Sequence, residues 1–353
     1  MRLHPATAHH ARAPRGWPLA LGAAAALALA TLHVQRRIRE AQRANPPRGH
    51  MVHVLGTTLH CTEHGPADAQ PLVLLHGSGL MGREMALSGL VEQAAARYRV
   101  IVFDRPGHGH SPLTTAGGAC TPERQADLLL AALRRMEVDD PIVLGHSWGA
   151  AVAMALGLNH PHAVRALVLL GGYWYPSPRA DVAWRSVPAL PLLGTLLSHT
   201  LAPLLARAVW PLVMRRAFAP AAVPPAFAES YPTWLSLRPR QLQASGVEAA
   251  LMIPAARRLS ARYAGLRVPV VIAAGADDHE LSTRWHSLRL HKAIPGSMLR
   301  IVGGAGHMLH HDAPELVLGF VDEAQELAAA SRVVVTTAHA ERHADGPVPR
   351  SAT

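Results

Sequence analysis

The chain has 353 residues, 49% hydrophobic and 16% charged, which is enough apolar mass for one large domain with an insertion, or for two domains. Its formal net charge is +10, almost all of the basic residues are arginine (only Lys292 is lysine), and they are spread along the whole chain without a recognised nucleic-acid module, which argues against nucleic acid as the partner. Two cysteines, Cys61 and Cys120, offer neither a disulfide framework nor a metal-ligand spacing.

Residues 1–16 form a basic tail. Trp17 to Val34 carries no charged side chain, and residues 17–35 are at the short end of a membrane span. Three readings of this segment are open: a transmembrane anchor, a signal peptide cleaved at Ala28-Leu29-Ala30, and an Ala-rich soluble helix. Arg36, Arg37 and Arg39 directly behind it favour the single-pass anchor in an inner (cytoplasmic) membrane, and place the following domain on the cytoplasmic side; Arg2, Arg12 and Arg15 oppose that orientation. Local basic runs on both flanks fit an anionic lipid surface. Residues 36–50, ending in Asn45-Pro46-Pro47-Arg48-Gly49, read as a linker.

From residue 51 the pattern changes. Met51 to Glu63 alternates as one or two antiparallel strands. Leu72–Leu75 and Arg99–Phe103 are short apolar runs of the kind that become buried strands. Thr121-Pro122-Glu123 opens a helix reaching Met136, with Leu128, Leu129, Ala132, Leu133 and Met136 on one face. Pro141–Leu144 is the next strand, and the small residues from Ala150 continue as a helix. Ala166–Leu170, Val268–Ala274 and Met298–Val302 are further strands, with a helical stretch from Ser282 to Ala293 and a last amphipathic helix from Ala313 to Ala330. Strands alternating with helices imply a mostly parallel sheet covered on both faces. Residues 173–263 break the rhythm. They are rich in Pro, Leu, Ala and Trp and read as short helices inserted between two strands. Val187 to Ala206 lacks formal charge, but a second span there would put the two flanking strands on opposite sides of a membrane, so it is rejected. Residues 331–353 read as a disordered tail.

Gly145-His146-Ser147-Trp148-Gly149 lies between a strand and a helix, the setting of a nucleophilic serine on a sharp turn. A serine hydroxyl needs a base, and the base needs an orienting acid. Gly275-Ala276-Asp277-Asp278 follows one later strand and Gly303-Gly304-Ala305-Gly306-His307 follows another. Three strand ends therefore carry Ser, Asp and His in the order used by doubly wound hydrolases. Ser147 is the candidate nucleophile and His307 the candidate base; Asp277 and Asp278 both qualify as the acid. The oxyanion donors are expected at the N–H groups of Trp148 and of Ser78, in His76-Gly77-Ser78-Gly79. His310, His311 and Asp312 lack a three-ligand spacing, so no metal and no cofactor is expected.

These pieces, together with Asp104-Arg105-Pro106-Gly107-His108-Gly109-His110-Ser111, resemble the α/β-hydrolase superfamily over about residues 51–327. The resemblance implies an eight-stranded, mostly parallel doubly wound α/β sheet, with core parts at 51–172 and 264–330, a helical lid at 173–263 after the sixth strand, and hydrolysis through an acyl-enzyme. Family spacing selects Asp278 as the acid. Serine at the nucleophile position departs from the dehalogenase and epoxide hydrolase branches, which use aspartate. The layout is similar to that of membrane-anchored monoacylglycerol lipases. An apolar lid poor in acidic residues (Asp181, Glu229, Glu248) suits an acyl chain, so the expected activity is a carboxylesterase or lipase acting on a lipophilic ester. Carbon–carbon bond hydrolysis, perhydrolysis and non-catalytic ligand binding are the competing readings.

Overall fold

The computed structural model describes residues 17–113 and 120–344; the basic tail expected at residues 1–16 lies outside them. Eight strands form one sheet in the order β1-β2-β4-β3-β5-β6-β7-β8. They are β1 (His50–Val54), β2 (Thr57–His64), β3 (Pro71–Leu75), β4 (Arg99–Asp104), β5 (Ile142–His146), β6 (Ala166–Leu170), β7 (Val270–Gly275) and β8 (Met298–Val302). β2 pairs antiparallel with β1 and β4, and every pairing from β4 to β8 is parallel.

The central strands read as unbroken apolar runs because both their faces are buried. Leu72 and Leu74 point into one core with Val100, Val102, Ile142, Leu144, Val168 and Val271. Their neighbours Val73 and Leu75 point into the other with Ile101, Phe103, Val143, Leu167 and Ile272. Each such side chain contributes on the order of 1.5–3 kcal/mol by leaving water. The first face is covered by α2 (Arg83–Leu87), α3 (Leu90–Ala94) and, beyond β8, α13 (Leu309–Asp312) and α14 (Pro314–Ala344); the second is covered by α4 (Pro122–Arg135), α5 (Trp148–Asn159) and α12 (Arg289–Ala293). Thr121 caps α4 as its sequence implies, its hydroxyl accepting from the Arg124 N–H at 3.2 Å.

Between β6 and β7 stand α6 (Asp181–Arg185), α7 (Leu193–His199), α8 (Ala202–Phe218), α9 (Pro225–Ser230), α10 (Thr233–Ser236) and α11 (Pro239–Ser260). Met214, Phe218, Phe227, Tyr231 and Leu235 of this insertion pack on Leu80, Met81 and Met308 at the carboxyl end of the sheet. α7 and α8 together are apolar enough to resemble a broken span, bent by 69°. Both ends of the insertion return to adjacent strands paired from Leu167↔Val270 to Leu170↔Ala273, so it starts and ends on one side.

The N-terminal helix, α1 (Trp17–Ala44), is long and apolar enough to cross a membrane. It does not stop at residue 35. Arg36 and Arg37 both bond Glu40 at 2.9 and 3.0 Å, supporting another two turns, while Val34 and Ile38 are buried and Ala41 packs on the insertion's core. The linker expected over 36–50 therefore shrinks to 45–49. At the other end α14 passes Ala330 and runs to Ala344, which corrects the tail expected from 331; residues 345–353 lie outside those described.

Candidate active site

β5 ends at His146 and α5 begins at Trp148, leaving Ser147 alone on the turn with φ 53° and ψ −113°. Positive φ is costly for a residue with a Cβ and persists only where its surroundings enforce it. Here they do. A Cβ on Gly145 would collide with the backbone of Gly149 and Ala150, and one on Gly149 with the carbonyls of Leu75 and His76. Two glycines thus let strand, turn and helix close together, and the Ser147 N–H is tied to the Leu170 carbonyl at 2.9 Å. The turn presents Ser147 at the carboxyl end of the sheet beside the free N–H groups of a helix start.

β7 and β8 deliver the other two groups. His307 Nδ1 lies 2.8 Å from Asp278 Oδ2, and Asp278 Oδ1 accepts the N–H groups of Glu280 and Leu281 at 2.7 and 2.9 Å. Asp277 instead accepts the Gly304 N–H at 3.0 Å in an exposed position, turned to the β8 loop. Burial pushes the Asp278 carboxyl up, but the His307 charge and these three hydrogen bonds outweigh it and hold it below the usual range. Burial pushes His307 down; the facing Asp278 carboxylate outweighs that and raises it. With Nδ1–H committed to Asp278, Nε2 is the ring's free nitrogen. Ser147 and His307 line one cavity of about 620 Å³, whose walls also include Ser78, Trp148, Tyr173, Trp210, Met214 and Leu259.

Ser78 and Trp148 border the cavity beside Ser147. Trp148 opens α5, where a backbone N–H has no intrahelical acceptor. Gly77 packs so tightly that a Cβ there would sit 3.3 Å from the Ser147 Cβ. The loop's position depends on a residue read from the sequence only as part of a turn. Arg105 donates to the carbonyls of His76 and Gly77 at 2.8 and 2.9 Å and to Gln125 at 3.0 Å, and forms a fully buried ion pair with Glu248 of α11. The His76 Nε2 in turn accepts the Arg105 N–H at 3.0 Å. Burial opposes the Glu248 charge, but Arg105, His108 and a Ser78 hydrogen bond hold its carboxyl down at about 2. Desolvation, aided by Arg105, keeps His76 neutral, at about 3.

His146 was also missed. Its Nε2 lies 3.0 Å from the His307 carbonyl, to which it donates, and its ring stands 4.9 Å from the His307 ring and 4.6 Å from that of His310. His310 and His311 meet Glu84 and not Asp312, which accepts the Gly306 N–H at 3.1 Å. Both Nε2 atoms lie at 2.7 and 3.1 Å from one Glu84 carboxylate oxygen. The trio has metal-ligating chemistry. Yet each pair already sits at hydrogen-bond distance, and both Nδ1 atoms lack the partners that orient metal-bound histidines. It reads as a polar tie between α2 and the segment that follows His307.

The arrangement supplies a hydroxyl at a strained turn, an imidazole fixed by a carboxylate, and N–H donors beside them. The first relatives matched are covered over a third to two fifths of their length. One of them, a 2-hydroxy-6-oxononadienedioate/2-hydroxy-6-oxononatrienedioate hydrolase of Cupriavidus pinatubonensis, is 36% identical over 117 residues, 32% of this chain and 39% of its own. A 2-hydroxymuconate semialdehyde hydrolase of Pseudomonas putida is 27% identical over 78% of this chain and 95% of its own. Among solved structures, a bacterial membrane phospholipase A aligns with a TM-score of 0.60 at 18% identity, over 88% of this chain and 97% of its own, a likeness of fold. The family model for the alpha/beta hydrolase fold matches residues 70–314, and the chain belongs to that family.

Proposed function

We propose that the protein is a serine hydrolase that cleaves a lipophilic ester through an acyl-enzyme. The observation that carries this reading is the 2.8 Å contact of Asp278 with His307, a histidine that lines one cavity with Ser147. In it, the Ser147 hydroxyl attacks the ester carbonyl carbon while His307 Nε2 takes its proton, and Asp278 stabilises the imidazolium that forms. The N–H groups of Ser78 and Trp148 receive the oxyanion. Collapse expels the alcohol, which takes the proton from His307. Water activated by the same imidazole then releases the acid and restores Ser147.

The cavity favours an uncharged acyl chain. Its arginines are already paired: Arg179 and Arg185 with Asp181 at 2.7 and 3.0 Å, and Arg216 with Glu280 at 2.7 Å. The remaining wall is largely Trp, Leu, Met and Ala. A relative named for a dienedioate favours carbon–carbon bond hydrolysis as the second reading, in which the same serine would attack a ketone carbonyl. Rates across a series of p-nitrophenyl esters of rising chain length, beside a vinylogous diketone, separate the two. Turnover rising from acetate toward octanoate and abolished in Ser147→Ala supports the ester reading; turnover of the diketone alone sinks it. The apolar α1 supports attachment to a membrane, with the catalytic domain beside the lipid that supplies the substrate.

A further inference from the structure

Half of the large apolar side chains that stand exposed among the described residues lie between Trp184 and Val213, and a further quarter lie on the outer half of α1. From the N-cap Leu201 along α8 the exposed set falls at helical spacing, Leu205, Val209, Leu212 and Val213 following it, with Leu205 66% and Leu212 62% accessible. Leu192 and Leu196 extend it across the bend onto the α7 side. An apolar patch of this extent on a water-facing surface marks a site of contact.

Three observations point to one occupant. The patch is continuous with the apolar helix. His33 and Arg37 of α1 pack on Trp234, Ala41 packs with Trp210 on the insertion's core, and α1 also touches α7. The charge left unpaired beside the patch is positive: Arg185 and Arg216 are tied to Asp181 and Glu280, while Arg207 and Arg215 form no ion pair among the described residues. Finally, Trp184 and Val213 are both exposed on this face and line the catalytic cavity, so the mouth opens through the patch.

We infer that α7 and α8 form a second membrane-contact element, lying in the interface of the leaflet that α1 enters and opening the cavity directly into lipid. The leucine stripe enters the acyl boundary as an interfacial helix does, and Arg207 and Arg215 meet anionic headgroups. The 69° bend lets two short helices lie along the surface where a straight pair would cross it. The substrate route inferred here rests on the lipophilic-ester reading; the lipid contact itself does not.

The test uses the full chain in phosphatidylcholine–phosphatidylglycerol vesicles. Cys61 and Cys120 are buried, so single cysteines at Leu205, Leu212 and Asp68 can be labelled with an environment-sensitive fluorophore. Asp68 lies ahead of β3, at the opposite end of the sheet from the site. Spin-labelled lipids should quench Leu205→Cys and Leu212→Cys at least twofold more than Asp68→Cys. Equal quenching at all three positions overturns the proposal, whatever a label at Leu21 on α1 reports. The double variant Leu205→Glu/Leu212→Glu should keep its rate on a water-soluble short ester and lose about tenfold on a long-chain ester held in vesicles. An unchanged vesicle rate also counts against it. Failure of the wild type to cleave any soluble ester would overturn the hydrolytic reading, while the quenching still decides the surface.

Discussion

Replacing Glu248 by Gln isolates the buried ion pair that holds the His76–Gly79 loop. Arg105 and Glu248 side chains are each 2% exposed, and the pair joins the loop after β4 to α11 of the insertion. Losing one partner of such a pair typically costs about 3–5 kcal/mol, because the other charge stays buried without compensation. Gln keeps the volume and one acceptor, and Arg105 keeps the His76 and Gly77 carbonyls and Gln125, so about 3 kcal/mol, the low end, is expected at pH 7. The sign with pH follows from the depressed carboxyl. Its contribution is complete above the ordinary value of 4.5 and disappears as pH falls toward about 2. Urea unfolding of both proteins should therefore show a gap that narrows from pH 5 to pH 3. A displaced Arg105 also loosens the Gly77 carbonyl next to Ser78, so kcat on a soluble ester should fall about tenfold with little change in KM, less than the 10²–10³ that follows outright removal of an oxyanion donor. A gap under 1 kcal/mol at pH 7, or one that persists undiminished at pH 3, would mean that the Glu248 charge does not carry this stability.

Asp278→Asn should lower kcat by about 10³–10⁴, since the amide no longer favours the required tautomer of His307, whereas Asp277→Asn, which touches only the Gly304 N–H, should stay within about twofold of wild type in a steady-state assay. Because Asp278 raises His307 above its ordinary 6.5, kcat/KM should climb with pH through a limb lying above 6.5 and level off once the imidazole is neutral; in Asp278→Asn the residual activity should show that limb at lower pH. Ser147→Gly should be more stable than Ser147→Ala by about 1 kcal/mol in denaturant titration, because glycine accepts φ 53° and alanine does not. Equal stabilities would mean that the turn stores no strain.

The parts of this molecule legible in the sequence are those written locally. The runs Leu72–Leu75, Arg99–Phe103 and Ala166–Leu170 are apolar on both faces because both faces are covered, and the structure places β3, β4 and β6 there. The glycines around Ser147 announce a turn too tight for any side chain at 145 or 149. Asp277 and Asp278 could not be separated by composition, since one residue of chain decides which carboxyl meets His307 and which meets Gly304. Arg105 and Glu248 lie 143 residues apart, and Glu84 and His310 lie 226 apart; no local periodicity links such pairs. The five-residue helices α2 and α3 are too short to show an amphipathic repeat. The continuation of α1 to Ala44 depends on packing against the insertion, which its charges at 36–40 conceal.

In the proposed reaction Ser147 carries the acyl group. The most direct test mixes the full chain with a p-nitrophenyl alkanoate, quenches with acid within the first turnovers, and weighs the peptide that contains Ser147. A burst of nitrophenol equal to the enzyme and a mass increase of one acyl group on Ser147 are the expected results. Turnover without any acyl group on that peptide, or turnover preserved in Ser147→Ala, would contradict that role.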